Sequence, residues 1–404
     1  MGSMTAKQGK VAAGIYVVIL SVYFVIPDMG YIAPSLNAIA EVYGVDPGTA
    51  SYLSTIVALT QIVAALICSV IAGRFIRRKT LLSIAVGGMA VVGVLPAFFT
   101  PEVVPFWVLM VDRAVFGLFL GFLQPIIYAF IAQVFVDANK RATAYGWGNV
   151  AFNIGAVFAS SVGGICVGIG WNTAFWLYAV GLVVLVCVLL FYKEPDVGVD
   201  EKAEDGKKAH ITPIAWFYMI IFLLAQVLDY PFFTVFISCL VQNGITDAVI
   251  GGQLLSLFTL VGILAAAFFG QMFKLFKLQT LPLACATCAV GLALMFAGLV
   301  VVPSLPLVII SVCVLGLGHL VITAGVPHYV SISCPAAVAS SALAFTAVFM
   351  NLGTFVSSPY VQFAADVAGK GDYSAVFMVS AVLMAILAVV VFVVIGKTKK
   401  EVLQ

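Results

Sequence analysis

Six ionisable side chains interrupt long apolar stretches of the sequence, and they are the residues best placed to do chemistry. They are Asp28, Asp112, Arg113, Asp229, His319 and His328. An ionisable group at the centre of a lipid bilayer costs roughly 2.5–3.5 kcal/mol even on a lenient insertion scale. Such groups therefore face a protein interior or an aqueous cavity, where they can take up protons or bind a charged solute.

Two acids and one arginine are predicted to form a coupling site for protons or cations: Asp28, Asp229 and Arg113. Asp28 stands between two nearby prolines, which weaken the surrounding backbone hydrogen bonds and favour such a site over a structural ion pair. Arg113 either balances Asp28 or holds an anionic group, and its neighbour Asp112 points about 100° away on a helix. Asp229 lies either in the same cavity or at its outer mouth. Two acids against one fixed cation favour a cationic or zwitterionic solute, or proton coupling, over a dianion.

A second set of residues in the same stretches carries hydrogen-bonding or aromatic groups. We predict that these residues line a substrate cavity: Tyr31, Gln61, Phe116, Gln124, Tyr128, Asn153, Tyr230, His319 and Asn351. Aromatic faces attract cations. Packing and hydrogen bonding between helices are the alternative for most of the set. His319 is either a packed hydrogen-bonding residue or a proton relay near neutral pH.

The composition places these residues in a membrane protein. Of 404 residues, 63% are hydrophobic and 9% are charged, and the mean hydropathy is +1.19, whereas soluble domains are about a quarter charged. A hydrocarbon core about 30 Å thick needs roughly 20 apolar residues per helical crossing. The apolar runs predict an all-α membrane protein of 12 transmembrane helices, at 13–37, 49–73, 80–99, 105–133, 143–168, 172–192, 213–240, 247–272, 279–301, 306–329, 338–363 and 372–396.

The distribution of positive charge predicts the orientation of these helices. With the N-terminus placed inside, seventeen of the 19 lysines and arginines fall in the terminal tails and the inner loops. Positive residues concentrate on the cytoplasmic side of membrane proteins. We therefore predict a multi-pass protein of a bacterial-type inner (plasma) membrane with both termini cytoplasmic.

A hydrophilic segment at 193–212 divides the chain and predicts its domains. Its mixed charge and lack of aromatic residues are typical of a flexible linker, here a cytoplasmic one. Residues 1–192 and 213–404 are therefore predicted to form an N-terminal and a C-terminal six-helix bundle.

The two halves repeat each other. Asn-Ile-Gly at 153–155 recurs as Asn-Leu-Gly at 351–353, an offset of 198 residues, and Asp28 matches Asp229 at an offset of 201. Parallel six-helix repeats imply a pseudo-two-fold axis along the membrane normal, with a site between the halves near the midplane.

Three segments match motifs of a known transporter family. Asp28-Met-Gly-Tyr-Ile-Ala-Pro34 places an acid before a proline-containing turn, Arg113-x-x-x-Gly117 places an arginine in the fourth helix, and 155–164 is a glycine-rich stretch of the fifth. They resemble the first-helix signature, the proton-coupling arginine motif and the antiporter motif of the major facilitator superfamily, most closely of its drug/proton antiporter branch. Ala-Ser replaces the usual Gly-Pro core of the antiporter motif.

The loop after the second predicted helix also resembles this superfamily. Its motif is G-x-x-x-D-R-x-G-R-R/K, and Ser69, Gly73 and Ile76 stand where Gly, Asp and Gly are usual. The resemblance implies that the basic residues of this loop control conformational change: Arg74, Arg77, Arg78 and Lys79.

These features and the resemblance predict a secondary active transporter that moves a small amphipathic or cationic organic solute by alternating access, with proton-coupled efflux. The alternatives are uptake or exchange of an organic solute such as a carboxylate, and lipid flipping. A membrane sensor or enzyme is a remote alternative, because the sequence has no metal-ligand spacing, phosphate loop or nucleophile–base pair. We expect no enzymatic activity, cofactor or metal. The expected partners are the solute, protons and the lipid bilayer, without nucleic acid, and the chain is expected to be a monomer.

Overall fold

The computed structural model describes residues 2–28, 32, 35–45, 47–194, 210–246, 248–368 and 373–398, and helices account for most of them. No β-strand forms within these ranges, and one isolated bridge joins Ala72 and Ile76 in a loop. A bilayer offers no partners for free backbone groups, so helices that satisfy their own hydrogen bonds are the expected solution.

The helices of the first half follow the predicted apolar runs. They are α1 Gly2–Val25, α2 Leu36–Tyr43, α3 Pro47–Ile71, α4 Arg78–Val94, α5 Phe106–Val134, α6 Ala138–Val167 and α7 Val180–Phe191. The 3₁₀ segment Leu95–Phe98 extends α4, and the 3₁₀ segment Thr173–Ala179 precedes α7.

The helices of the second half are more often interrupted. They are α8 Pro213–Asp229, α9 Pro231–Thr234, α10 Phe236–Gln242, α11 Ala248–Ala267, α12 Phe269–Phe276, α13 Thr280–Phe296, α14 Leu305–Ser333, α15 Ala336–Ala368 and α16 Ala375–Thr398. A 3₁₀ segment, Lys277–Gln279, precedes α13, and a π-helical segment, Ala297–Val301, follows it.

In the described part of the chain, ten helical segments are long and apolar enough to cross a membrane. They lie at 78–98, 106–134, 138–167, 173–191, 213–234, 250–267, 269–301, 305–333, 338–357 and 375–396. Residues 13–25 and 56–71 form shorter apolar helices at the first two predicted crossings. The all-α membrane fold is confirmed, and a total of twelve crossings stays a prediction.

Two of the predicted helices are interrupted close to their acids. Helix α1 ends at Val25, two residues before Pro27, and the seventh run is divided by breaks at Tyr230 and Val235. A proline lies at the break next to each acid, Pro27 beside Asp28 and Pro231 after Tyr230. Proline interrupts a helix because it has no N–H and its ring clashes with the preceding turn. The backbone is therefore irregular beside both Asp28 and Asp229.

The chain folds into two compact units. Unit 1 comprises Met1–Val136, Ala151–His210 and Ala336–Val348, and unit 2 comprises Asp137–Val150, Ile211–Pro335 and Phe349–Gln404. Helices α6 and α15 each contribute their first turns to one unit and later residues to the other. Most of the predicted linker, 195–209, lies outside the described residues, so the predicted domain boundaries stay a prediction.

Glycines allow close helix contacts at equivalent places in the two units. A Cβ on Gly155 of α6 would lie 2.0 Å from the carbonyl oxygen of Phe24 in α1, and a Cβ on Gly353 of α15 would lie 2.5 Å from that of Leu223 in α8. Both glycines belong to the repeated Asn-x-Gly sequence, and each meets the first long helix of its own half. Small residues permit such approach in membrane proteins. The shared contact supports the predicted duplication.

We expect Gly155→Ala to lower the melting temperature of the purified protein, because its methyl group would force α6 away from α1. Overpacking of this kind costs about 1–3 kcal/mol. Gly164→Ala in the same helix is the matched control, because nothing in the described part of the chain lies within 4 Å of its added Cβ. The control should melt at or slightly above the wild-type temperature. Equal melting temperatures for the two variants would show that the α1–α6 contact is not close-packed.

Candidate functional site

A local break in the backbone presents Asp28 at the end of α1. Pro27 cannot donate a helical hydrogen bond, and the Asp28 N–H donates to the carbonyl oxygen of Ile26 at 2.7 Å. Asp28 is 6% exposed. The break therefore delivers a carboxylate to the interior of unit 1.

Asp28 and Arg113 form a buried ion pair. Arg113 Nη2 donates to Asp28 Oδ1 at 2.6 Å, and the arginine side chain is 0% exposed. Tyr178, just before α7, donates its hydroxyl to the same oxygen at 2.5 Å, and Arg113 Nη2 lies 3.4 Å from the Tyr178 hydroxyl oxygen. Side chains from two separate segments thus converge on one carboxylate oxygen.

Aromatic rings enclose the Arg113 guanidinium. Its Cζ atom lies 4.1 Å from the centroid of the Phe116 ring and 5.4 Å from that of Tyr178. Arg113 and Phe116 are three residues apart and share a face of α5. A Cβ on Gly93 of α4 would lie within 3.0 Å of both rings, so this glycine leaves the space they occupy. A desolvated cation–π contact contributes about 2 kcal/mol, which stabilises the buried cation.

The ion pair leaves some polar atoms unsatisfied. Within the described residues, Arg113 Nε and Nη1 and Asp112 Oδ2 are buried without a hydrogen-bond partner. Although Asp112 and Arg113 diverge on the helix, both are buried. The arginine atoms can donate hydrogen bonds to a solute that enters the site, and the Asp112 oxygen can accept a hydrogen bond or take up a proton.

Unit 2 contains a second acid–base pair. His319 Nδ1 lies 3.2 Å from Asp229 Oδ2, and both residues are buried. Asp229 is the last residue of α8, directly before the break at Tyr230, and His319 lies in the middle of α14. The contact becomes an ion pair when the imidazole is protonated. No group of three or more His, Cys, Asp or Glu among the described residues is placed to hold a metal ion.

The other cavity residues predicted in the first half lie in unit 1. Gln124 Nε2 donates to the Tyr128 hydroxyl at 2.7 Å, one turn away on α5, and both are buried. Asn153 is buried in α6, and Gln61 is half-buried in α3, where its backbone meets Gly121. The structure brings Gln124 and Tyr128 together on α5, and the role of all these residues in binding stays a prediction.

The remaining candidates do not gather around one point. Tyr230 and Asn351 are half-buried in unit 2, and Tyr31 lies outside the described residues. His328 is fully buried, with its ring centroid 4.3 Å from that of Phe273. This contact is a packing contact at the far end of α14 from the acid–base pair.

Arg78 organises the basic loop between α3 and α4. Its backbone N–H donates to Glu194 Oε1 at 2.8 Å, and its Nη2 lies within hydrogen-bond distance of Ser340 Oγ at 3.2 Å. Gly73 has a φ of 79°, in the left-handed region that favours glycine. A Cβ there would lie 2.7 Å from the Arg78 guanidinium. Glycine, where the family motif has an acid, therefore makes room for the arginine.

The other basic residues of this loop face outward. Lys79 Nζ donates to the carbonyl oxygen of Leu189 at 2.8 Å, and Arg74 and Arg77 are exposed. Control of conformational change by these residues stays a prediction.

Sequence reasoning missed Tyr178 and Glu194. Tyr178 is 150 residues from Asp28, in an apolar run where aromatic residues are common, so no local signal distinguishes it. Glu194 directly follows the sixth apolar run. The loop motif that contains Gly73 lacks its usual acid, so a search for an acid elsewhere in the sequence that could contact this loop could have found Glu194.

Comparison with known proteins identifies the family. The family model described as Major Facilitator Superfamily matches residues 18–358. The chain belongs to this superfamily. Membership and the apolar helices make it a multi-pass membrane transporter. Among curated proteins, no sequence match is found.

Solved structures of superfamily transporters share the fold. The proton:xylose symporter XylE bound to 6-bromo-6-deoxy-D-glucose matches with a TM-score of 0.74 at 14% identity, over 96% of each chain. The human organic anion transporter MFSD10 (TETRAN) gives 0.68 at 14%, over 94% of this chain and 97% of that one. FucP, in the outward conformation, gives 0.69 at 12%, over 93% and 97%. Identities this low establish the fold and leave the solute open.

We expect Tyr178→Phe to lower the melting temperature by several degrees, because it removes the hydroxyl that donates to Asp28. A hydrogen bond to a charged group contributes about 1.5–3 kcal/mol. Tyr192→Phe is the matched control, because the Tyr192 hydroxyl is buried without a partner among the described residues. That variant should be as stable as wild type or more stable. An equal fall in both variants would contradict the hydrogen-bond network assigned to Tyr178.

Proposed function

We propose that this transporter exports a small cationic or amphipathic organic solute in exchange for protons, by alternating access, as a member of the drug/proton antiporter branch. In this proposal Asp28 binds the proton or the cation, Arg113 sets the charge balance, and Asp229 supplies a second acid. The observation that carries the proposal is the buried ion pair, with 2.6 Å between Arg113 Nη2 and Asp28 Oδ1.

A paired charge inside the membrane links protonation to conformation. Removing one partner of a buried ion pair costs about 3–5 kcal/mol, because the other charge is left uncompensated. A proton on Asp28 removes most of the attraction that holds Arg113 in place. Proton binding and the packing of unit 1 therefore affect each other, which is what coupled transport requires.

A cationic solute and a proton compete for the same carboxylate. Either of them neutralises Asp28, and binding both would leave excess positive charge beside Arg113. The Phe116 ring and the Asp112 carboxyl group remain next to the guanidinium and limit the cost of its unpairing. Competition for one carboxylate makes exchange in opposite directions the natural mode of coupling.

The unsatisfied acceptors favour a cation. Within the described residues, Asp112 Oδ2 and Asp229 Oδ1 are buried and accept no hydrogen bond. A buried acceptor without a partner is costly. An ammonium group or a proton supplies the donor that each of these oxygens lacks.

One observation favours a second function, proton-coupled uptake or exchange of an organic carboxylate. Arg113 Nε and Nη1 are buried donors without partners in the described part of the chain, and guanidinium groups bind carboxylates through paired hydrogen bonds. Asp28 competes with the solute's carboxylate for the Arg113 guanidinium, so the solute would bind when Asp28 is protonated. Solute and proton would then move in the same direction.

The membrane arrangement is proposed from the sequence. We propose six-helix bundles at 1–192 and 213–404, joined by a cytoplasmic linker at 193–212. Both termini would lie in the cytoplasm of a cell with a bacterial-type inner membrane. One chain would be the complete transport unit, because each chain carries both repeats.

We expect the purified protein in proteoliposomes to accumulate ethidium, an amphipathic cation, when the vesicle interior is made acidic. Protons leaving the vesicle would drive the cation inward by exchange. Asp28→Asn should reduce this accumulation at least tenfold, because its amide carries no charge for protons and cations to compete over. Glu102→Gln is the control, because Glu102 is an exposed acid between two membrane spans, and it should transport at the wild-type rate.

The direction of the pH gradient separates the two functions. Accumulation of benzoate driven by an acidic exterior and exceeding that in protein-free liposomes, without ethidium exchange, would reject export and establish carboxylate symport. If the Asp28→Asn variant transports either probe at the full gradient-driven rate, Asp28 is not the coupling residue in either proposed function.

A further inference from the structure

The two acid–base pairs lie on corresponding helices of the repeat, with matching acids, but they differ in their base, and His319 lies at least one turn further along its helix than Arg113 does. In each half of the chain, an acid in the first predicted helix of that half contacts a base in the fourth predicted helix of that half. The pairs are Asp28 with Arg113 at 2.6 Å and Asp229 with His319 at 3.2 Å. Arginine keeps its proton in proteins, whereas histidine is the side chain suited to exchange one between about pH 5 and 8. The pair in unit 1 therefore has a fixed cation, and the pair in unit 2 has a base that can release its proton.

We propose that Asp229 and His319 form a second protonation centre, separate from Asp28 and Arg113, in which His319 passes protons to and from Asp229. This proposal rests on the proton coupling proposed above and deepens it. A proton adds to His319 Nε2, and the proton on Nδ1 transfers to Asp229 Oδ2. The products are a carboxylic acid and a neutral imidazole that carries its proton on Nε2. The step needs no other reactant and runs in reverse when the proton leaves.

Exposure makes His319 the accessible end of the pair. Its side chain is 10% exposed, whereas that of Asp229 is 2% exposed. His319 Nδ1 covers Asp229 Oδ2, and Oδ1 is buried without a partner among the described residues. Protons therefore reach the carboxylate most directly through the imidazole.

Two phenylalanine rings hold the imidazole in this orientation. The centroid of the His319 ring lies 5.7 Å from that of Phe233 and 5.6 Å from that of Phe258, and the two phenylalanine centroids are 5.3 Å apart. Phe233 lies in the short α9, between the breaks at Tyr230 and Val235. A change in backbone conformation at these breaks would move the ring against which His319 packs. The relay is therefore positioned to open and close with α9.

The other titratable groups near Asp229 do not compensate its charge. The buried thiols of Cys285 and Cys288 in α13 lie close to Asp229, and the Cys288 thiol donates a hydrogen bond to its carboxylate. Tyr230 follows Asp229 in the chain. A thiol or phenol is at most a neutral donor, so among the groups that face Asp229 in the described structure, His319 is the one that can supply a positive charge.

Infrared difference spectroscopy tests the proposal without a solute, because the proton is the probe. Spectra of the purified full-length protein would be recorded as the pH is cycled, in water and in deuterium oxide. Wild type should show separate carboxylic-acid C=O bands, of which Asp229→Asn removes one and Asp28→Asn another. Asp112→Asn is the matched control, because it removes a buried acid of unit 1 and should leave the Asp229 band unchanged.

Variants of His319 test the relay itself. His319→Gln should keep the Asp229 band but slow its exchange with deuterium at least tenfold, because the proton carrier is gone. His319→Arg copies the base of unit 1 and should make the Asp229 band appear only at lower pH than in wild type, because a fixed cation favours the ionised carboxylate. A wild-type exchange rate in His319→Gln, or no band lost in Asp229→Asn, would overturn the proposal. If His319→Arg does not fold, the exchange rate of His319→Gln decides.

The experiments distinguish a failure of the second protonation centre from a failure of the proposed coupling at Asp28. If Asp28→Asn abolishes gradient-driven ethidium transport but Asp229→Asn removes no band, the coupling at Asp28 stands and the second centre is rejected. If the Asp229 and His319 variants behave as expected but Asp28→Asn transports normally, the second centre stands and coupling at Asp28 is rejected.

Discussion

A guanidinium buried among apolar helices needs an anion and polarisable neighbours, and unit 1 supplies both to Arg113. Asp28 accepts its hydrogen bond at 2.6 Å, and Phe116 lies beneath it at 4.1 Å. The break before Asp28 and the absence of a side chain at Gly93 both serve this one arrangement, because the first turns the carboxylate inward and the second admits the aromatic rings. The buried charges of Asp28 and Arg113 are stable only while they remain paired. Any step that separates or neutralises one of them therefore also changes the packing of the helices around them.

Duplication gave both halves of the chain the same framework and left the chemistry to diverge. The repeated Asn-x-Gly sequences make the same close helix contact in each unit, through Gly155 and Gly353. The acids Asp28 and Asp229 keep matching positions beside a broken helix. The base differs, since arginine holds its charge and histidine exchanges a proton. A transporter with one fixed and one titratable pair can separate the binding of charge from the movement of protons.

Local patterns in the sequence were sufficient to predict the all-α membrane fold, because hydropathy acts over the length of a single helix, whereas the duplication and the roles of the acids stay predictions. From the sequence, Arg113 could either pair with Asp28 or hold an anionic group of the solute. The rotation of its helix decides between the two, and only packing sets that rotation. Tyr178 was missed because it is 150 residues away and its contact depends on the space at Gly93. The sequence allows either a packing or a relay role for His319, and the cluster of its ring with Phe233 and Phe258 appears only in three dimensions. The solute depends on the shape of a cavity lined by many side chains, for which no local pattern exists.

The most direct measurement is a double-mutant cycle on the buried pair, with melting temperature and gradient-driven transport recorded for wild type, Asp28→Asn, Arg113→Gln and the double variant. A functional ion pair predicts that Arg113→Gln costs about 3–5 kcal/mol, because it leaves Asp28 buried and uncompensated. The double variant should recover most of that stability, because neither charge remains, and should show no gradient-driven transport. Additive losses of stability, or gradient-driven transport that survives in the double variant, would contradict the assignment of this pair as the coupling site.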